Sequence, residues 1–141
     1  MTTITWDGKT LAADSRVTDG CIEQVKCKKI HKVGEYIIAF CGDYAEGLAF
    51  VKWVEEGMIA ERKPEDLEDF GALVVHPDGK VFEYTKRLIP LPCGCPTAAG
   101  SGRKSAMGAL LAGANAVEAV KIAAKLDPYT GGPVQSFTVI C

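Results

Sequence analysis

The chain has 141 residues, 48% of them apolar and 24% charged, with a formal net charge of −2. That length fits one domain, 1–141, large enough to bury a core without disulfides. The charge balance points to neither nucleic acid nor an anionic membrane as a partner. No apolar run approaches the ~20 residues of a membrane helix, and the polar–apolar alternation of the first residues is no secretory signal, which predicts a cytoplasmic protein.

The predicted elements begin directly behind Met1. Residues 2–6 and 10–14 read as a hairpin about Asp7-Gly8-Lys9. A three-residue loop would set Thr2 opposite Asp14 on one face. A two-residue loop would set Thr2 opposite Ala13 and turn Asp14 to the other face. A polar turn at Thr18-Asp19-Gly20 precedes a strand over 27–33. The apolar run from Tyr36 to Cys41 predicts a strand buried on both faces. Gly42 ends it and Asp43 caps a helix over 44–56, with Tyr44, Leu48, Val51 and Val54 on its apolar face. Residues 57–69 form a polar connection with room for a short helical turn. A second hairpin pairs 70–76 with 81–85. Residues 86–99, rich in Pro, Cys and Gly, read as a loop. A helix runs from about Arg103 to Ala114, Asn115 caps another, Asp127 to Pro133 is a turn, and 134–140 alternates as a final strand. Hairpin-joined strands make antiparallel sheets, and helices must cover their outer faces. The fold expected is α+β: a four-layer αββα sandwich with two mainly antiparallel sheets.

The six cysteines are Cys21, Cys27, Cys41, Cys93, Cys95 and Cys141. The core is large enough to make disulfides unnecessary, so reduced, mostly buried thiols are expected. Cys93-Gly-Cys95 lacks the spacing and the second half of a zinc site. His31 and His76 stand alone beside apolar runs. No metal site is predicted.

The chemistry starts at Thr2. Once Met1 is removed, this residue carries both a hydroxyl nucleophile and a free α-amine, a pairing that activates a weak nucleophile. The amine has a reference pKa of ~7.7–8.0, well matched to a base at neutral pH. A nearby lysine would lower it further by like-charge repulsion, and an acid would hold that lysine in place. Taken singly, each candidate also has a plain structural reading. Thr2 to Thr5 can simply start a strand, Lys29 can be a solvated strand residue, and Asp14 with Arg16 a surface pair. Gly100-Ser101-Gly102 can be a flexible turn, and Asp127 and Thr130 ordinary helix-end and turn residues.

Their order along the chain argues otherwise. Thr2-Thr3-Ile4, Ala12-Ala13-Asp14-Ser15-Arg16, Lys28-Lys29-Ile30-His31-Lys32, Ile37 to Asp43, Gly100-Ser101-Gly102 and Asp127-Pro128-Tyr129-Thr130-Gly131-Gly132 follow one another over residues 2–132. Together they resemble the proteasome β-type subunits, and more closely the HslV protease family, of the N-terminal-nucleophile hydrolases. The resemblance implies a threonine-type endopeptidase without metal or cofactor. Thr2 would attack, with Lys29 tuning the site and Asp14 orienting Lys29. Ser101, Asp127 and Thr130, which stands where the family has serine, would hold the amine. Arg16, Ala39, Phe40 and Gly42 would line the substrate site. The family's oxyanion glycine corresponds here to Ala39 or Phe40, and a phenylalanine there would narrow the site. The chain is also short for the family, with the loss near 57–69 and the C-terminus.

The partners implied are peptides or unfolded proteins, further copies of the chain in a homo-oligomeric ring or double ring, and an ATP-dependent unfoldase. Retention of Met1 would instead make a catalytically silent ring subunit. A small-molecule amidase is the remaining reading on this fold.

Overall fold

The computed structural model describes residues 2–19, 22–24 and 27–139. Of the residues named above, Met1, Gly20, Cys21 and Cys141 lie outside them, as does the last residue of the strand expected over 134–140, and with Met1 the question of its removal. In chain order the elements are β1 (Thr3–Trp6), β2 (Thr10–Ala13), β3 (Val17–Asp19), β4 (Ile22–Gln24), β5 (Ile30–Val33), β6 (Tyr36–Gly42) and α1 (Tyr44–Glu55). Then follow β7 (Phe70–Val75), β8 (Val81–Thr85), β9 (Leu91–Pro92), β10 (Thr97–Gly100), α2 (Arg103–Leu111), α3 (Ala116–Leu126) and β11 (Gln135–Thr138).

The strands form a sheet in the order β10-β1-β2-β11, a second in the order β5-β6-β7-β8-β9, and the small β3-β4 hairpin. Every described pairing is antiparallel. The two large sheets stack on a shared core of Ile4, Trp6, Leu11 and Ala13 against Ile30, Ile37, Ala39, Leu73 and Val75. The outer face of the five-stranded sheet packs Ile38, Phe40 and Ala72 on Phe50, Trp53 and Val54 of α1. On the four-stranded sheet, Ala12 meets Ala116 and Val120 of α3, and α2 lies over β10 and β1. The molecule is thus the four-layer sandwich expected.

Three local features differ from expectation. The loop 86–99 contains β9 and β10, and β10 extends the four-stranded sheet by pairing Thr3 with Gly100 and Ile4 with Ala99. Ala98, Ala99 and Gly100 carry no strand signal and Thr97 alone is too little, so only tertiary pairing reveals it. The strand expected over 27–33 begins at Ile30, because Cys27 N–H is drawn away to Ser15 O at 3.0 Å. Helical spacing picks out Val117, Val120 and Ala124 as the apolar face of α3, whereas the residues it buries are Ala116, Ala119, Val120 and Ala123; α1 likewise leaves Leu48 42% exposed.

The first hairpin takes neither expected register. Asp7 N–H donates to Thr10 O at 3.3 Å, closing a two-residue loop at Gly8-Lys9. Ile4 pairs with Ala13, and Asp14 N–H donates to Thr3 O at 3.2 Å. Thr2 is therefore diagonal to Asp14. Alternation from Ile4 turns Thr2 toward the inter-sheet core. Asp14 reaches it because β2 stops at Ala13, and strict alternation stops there too.

Gly47 of α1 sits directly on Phe40, where an added Cβ would come within 2.1 Å of the ring. Gly47→Ala is expected to destabilise the protein by about 1–3 kcal/mol through overpacking, despite alanine's better helix propensity. Urea denaturation measures this, and a stabilised variant would show that the ring moves aside at little cost.

Candidate active site

β1, β2 and the segment entering β5 bring three of the expected residues into contact. Thr2 Oγ1 donates to Asp14 Oδ1 at 2.7 Å. The Lys29 ammonium donates to the same carboxylate oxygen at 2.8 Å, to Arg16 O at 2.5 Å, and to Thr2 Oγ1. All three side chains are buried, with Thr2 1%, Asp14 0% and Lys29 3% exposed. Burial pushes the Lys29 ammonium below the usual lysine range, and the adjacent Asp14 carboxylate works against that shift. Asp14 is held in turn by Thr3 N–H at 3.3 Å and by Gly131 N–H on Oδ2 at 2.9 Å. A buried ion pair with its remaining valences satisfied has the geometry such pairs require.

The second cluster surrounds the Thr2 main chain. Ser101 Oγ donates to Asp127 Oδ2 at 2.5 Å and lies 3.4 Å from Thr2 O. Thr130 Oγ1 donates to Asp127 Oδ2 at 2.6 Å and lies 2.7 Å from Thr3 Oγ1. Glycine is required beside it, since at Gly100, with φ +95°, a Cβ would stand 1.9 Å from Thr2 O. Burial tends to raise the Asp127 carboxyl, but hydrogen bonds from Ser101, Thr130 and the Tyr129 N–H hold it below the usual carboxylate value. A lowered folded-state pKa stabilises the fold above the unfolded pKa of ~3.9, and this contribution disappears as pH falls through the folded value. The stability gap between the native chain and Asp127→Asn should therefore be constant from about pH 5 upward and close in stronger acid. Urea titrations across this range would reveal a flat gap if the carboxylate is not so held.

The residues expected to line a substrate site divide. Gly42 lies at the open end of β6, beside a cavity of about 290 Å³ that Cys41, Gly100 and Ser101 also line. Phe40 does not face that region. Its N–H donates to Lys29 O at 3.2 Å and its ring packs under α1, so it neither narrows the site nor has an amide to offer there. Ala39 is fully buried between the sheets. Because Phe40 N–H points toward β5 and Asp43 N–H donates away from it to Asp69 O at 2.6 Å, alternation turns the intervening Gly42 N–H past the end of β5. Gly42 has φ +91°, and a Cβ there would meet Asp69 O at 2.1 Å. Arg16 contributes its carbonyl to Lys29. Its guanidinium donates to Pro128 O at 2.9 Å and lies against Gly131, where a Cβ would stand 2.4 Å from Cζ. That side chain braces the 128–131 turn.

One contributor was not visible in the sequence. Gln135, on β11, bonds main-chain groups on either side of the site, and a lone glutamine in a strand carries no signal of this. Among the described cysteines, Cys27 and Cys93 are half-buried and Cys95 is exposed, so only Cys41 fits the expectation of burial. Burial pushes the Cys41 thiol up to about 11, which keeps it protonated and unreactive. No helix among the described residues is long and apolar enough to cross a membrane.

No family model and no curated protein matches the chain. Solved structures do. The chain is similar to Thiobacillus denitrificans BPH in complex with epoxomicin, with 21% identity, a TM-score of 0.73 and 96% of each chain covered. A second structure of Thiobacillus denitrificans BPH gives 23% identity and a TM-score of 0.74 over 96% of this chain and 95% of that one. The crystal structure of eukaryotic HslV from Trypanosoma brucei gives 19% identity and a TM-score of 0.76 over 98% of each chain. Identity this low, over nearly complete chains, establishes the architecture: this chain has the fold of HslV and of BPH.

Proposed function

We propose that the chain is a threonine-type endopeptidase subunit of the proteasome and HslV kind, active once Thr2 is the first residue. The observation that carries this reading is the buried contact of Thr2 Oγ1 with Lys29 Nζ and Asp14 Oδ1. A strand-start threonine needs no buried lysine–aspartate pair on its hydroxyl, whereas a nucleophile does.

In the proposed reaction, Thr2 Oγ1 attacks the carbonyl carbon of a peptide bond while the Thr2 α-amine takes the hydroxyl proton. The Lys29 charge stabilises the forming alkoxide and holds the amine's pKa down. The Gly42 N–H, which strand alternation leaves pointing past β5, is the oxyanion donor; this moves the role from Ala39 or Phe40. The amine then gives its proton to the leaving nitrogen, an ester forms on Thr2, and water cleaves it. Ser101, Asp127 and Thr130 fix the Thr2 main chain and so the direction of the amine.

The same reading assigns unfolded polypeptide as substrate, a cytoplasmic location, assembly into a closed ring or double ring, and an ATP-driven unfoldase as partner. Exposed Ile89, Leu91, Leu111 and Leu126 support self-association on the helical side and the 86–92 loop.

Intact mass spectrometry shows whether residue 1 is removed. The chain beginning at Thr2 is then expected to hydrolyse fluorogenic peptides and to form a one-to-one adduct with epoxomicin that Thr2→Ala loses. A correctly processed, ring-assembled chain that cleaves no peptide and takes no adduct would leave the silent-subunit reading in its place. Sedimentation at micromolar concentration tests the ring, and a stable monomer would remove it.

A further inference from the structure

Asp14 and Lys29 belong to different sheets. Asp14 follows β2 in the four-stranded sheet, and Lys29 precedes β5 in the five-stranded one. Their 2.8 Å contact therefore depends on how the two sheets are set against each other at this edge. Apolar packing between sheets is non-directional and does not by itself fix such a distance.

One side chain spans that gap. Gln135 Oε1 accepts from Lys29 N–H at 2.8 Å and from Ile30 N–H at 3.0 Å. Its Nε2 donates to Asp14 O at 3.1 Å and to Cys27 O at 2.8 Å. The amide uses both lone pairs and both N–H groups, which is its full capacity. Every bond goes to the main chain, and two of the four go to the residues bearing the catalytic acid and lysine. β11 pairs with β2 through Gln135 and Ala13, so the amide is itself anchored on the Asp14 side. Together with Phe40 N–H to Lys29 O and Cys27 N–H to Ser15 O, its bonds hold residues 27–29 in place outside a strand.

We propose that Gln135 is a positioning residue that sets the Lys29–Asp14 spacing, and through it the alignment of Thr2 for attack. This rests on the peptidase reading for its kinetic consequence, but not for its structural one. Gln135 is half-buried and lines a cavity of about 250 Å³ with Ser15, Cys27 and Lys28, so water can replace its hydrogen bonds. Removing the amide therefore leaves the main-chain groups solvated and the fold standing, while the geometry of the pair relaxes.

The test uses the full chain beginning at Thr2, with Gln135→Met, which keeps the length of the side chain and loses all four bonds. Ser136→Ala, on the opposite and exposed face of β11, is the control. Two measurements are made: peptide hydrolysis, and the titration of Lys29 followed by NMR of ε-¹³C-lysine. Gln135→Met is expected to lower kcat about 10- to 100-fold with KM within about twofold, the scale of a misplaced catalytic group. The Lys29 titration should shift from that of the native chain, because both its burial and its distance from Asp14 change, and Ser136→Ala should change neither. Unchanged Lys29 titration with kcat within about threefold of native overturns the proposal. So does a fall in kcat in a folded variant whose Lys29 titrates as before, since the amide then does not set the Lys29–Asp14 spacing. If Gln135→Met fails to fold, Gln135→Asn, one methylene shorter with the amide kept, makes the same test. If the native chain cleaves no peptide, the peptidase reading fails and the Lys29 titration alone decides the positioning role.

Discussion

Thr2→Ala, in the chain that begins at residue 2, is expected to lower kcat for peptide hydrolysis by about 10⁴- to 10⁶-fold, the range seen when a nucleophile acting as part of a unit is removed. The loss should fall almost wholly on kcat, because Thr2 Oγ1 contributes bonding only as the ester forms. Stability should change much less. The hydroxyl's partners, Asp14 and Lys29, bond each other and keep further partners at Thr3 N–H, Gly131 N–H and Arg16 O. A cost of about 1–3 kcal/mol for the lost hydroxyl is appropriate. Thr2→Ser retains both hydroxyl and amine and should keep measurable activity, reduced because the β-branch that restricts χ1 is gone. A chain in which Met1 is retained should be as inactive as Thr2→Ala, since the base is then an amide. Full activity in either would place the nucleophile elsewhere.

The parts of this site that could be read from the sequence are those set by local chemistry or carried by the order of the motifs. Thr2 stands out by its own chemistry once Met1 is removed, whereas Asp14, Lys29, Ser101, Asp127 and Thr130 each have a plain local reading and are singled out by the order of the motifs that carry them. Asp43 and Asn115 cap helices where their side chains predict, each accepting the N3 N–H at 2.9–3.0 Å. What could not be read depends on distant pairing. The two-residue loop at Gly8-Lys9 differs from a three-residue one by a single step of register, and composition does not distinguish them. The strand at Thr97–Gly100 exists because β1 offers it a free edge. The orientation of the Phe40 ring follows from the glycine at position 47, seven residues away on a helix. Gln135 acquires its role only when β11 is laid beside β2. Resemblance of motifs gave the order of the pieces, whereas the oxyanion donor needed the alternation of β6 to be counted from observed hydrogen bonds.

Asp14→Ala should have the largest effect on stability of any single change at the site. The carboxylate accepts from Thr2 Oγ1, Thr3 N–H and Lys29 on one oxygen and from Gly131 N–H on the other. Its removal strands a buried ammonium, for which a loss of about 3–5 kcal/mol is typical, against a total stability of about 5–15 kcal/mol for an ordinary domain. Lys29→Met should cost less, because the carboxylate left behind keeps three donors, whereas the ammonium left by Asp14→Ala keeps only Arg16 O and Thr2 Oγ1. Both should abolish peptide hydrolysis. Their pH dependence separates them. The folded-state pKa of Lys29 lies below the usual lysine value, so the unfolded chain binds more protons between the two pKa values and stability rises with pH across that window. Without Asp14 the opposing attraction is gone, the folded pKa drops further, and the window widens downward from ~10.4. Asp14→Ala should therefore regain stability relative to Lys29→Met as pH rises from 7 toward 10, in ~0.5-unit steps of urea denaturation that resolve the slope. Equal losses at pH 7, or a difference that stays flat up to pH 10, would mean that the carboxylate is not what keeps this lysine charged inside the protein.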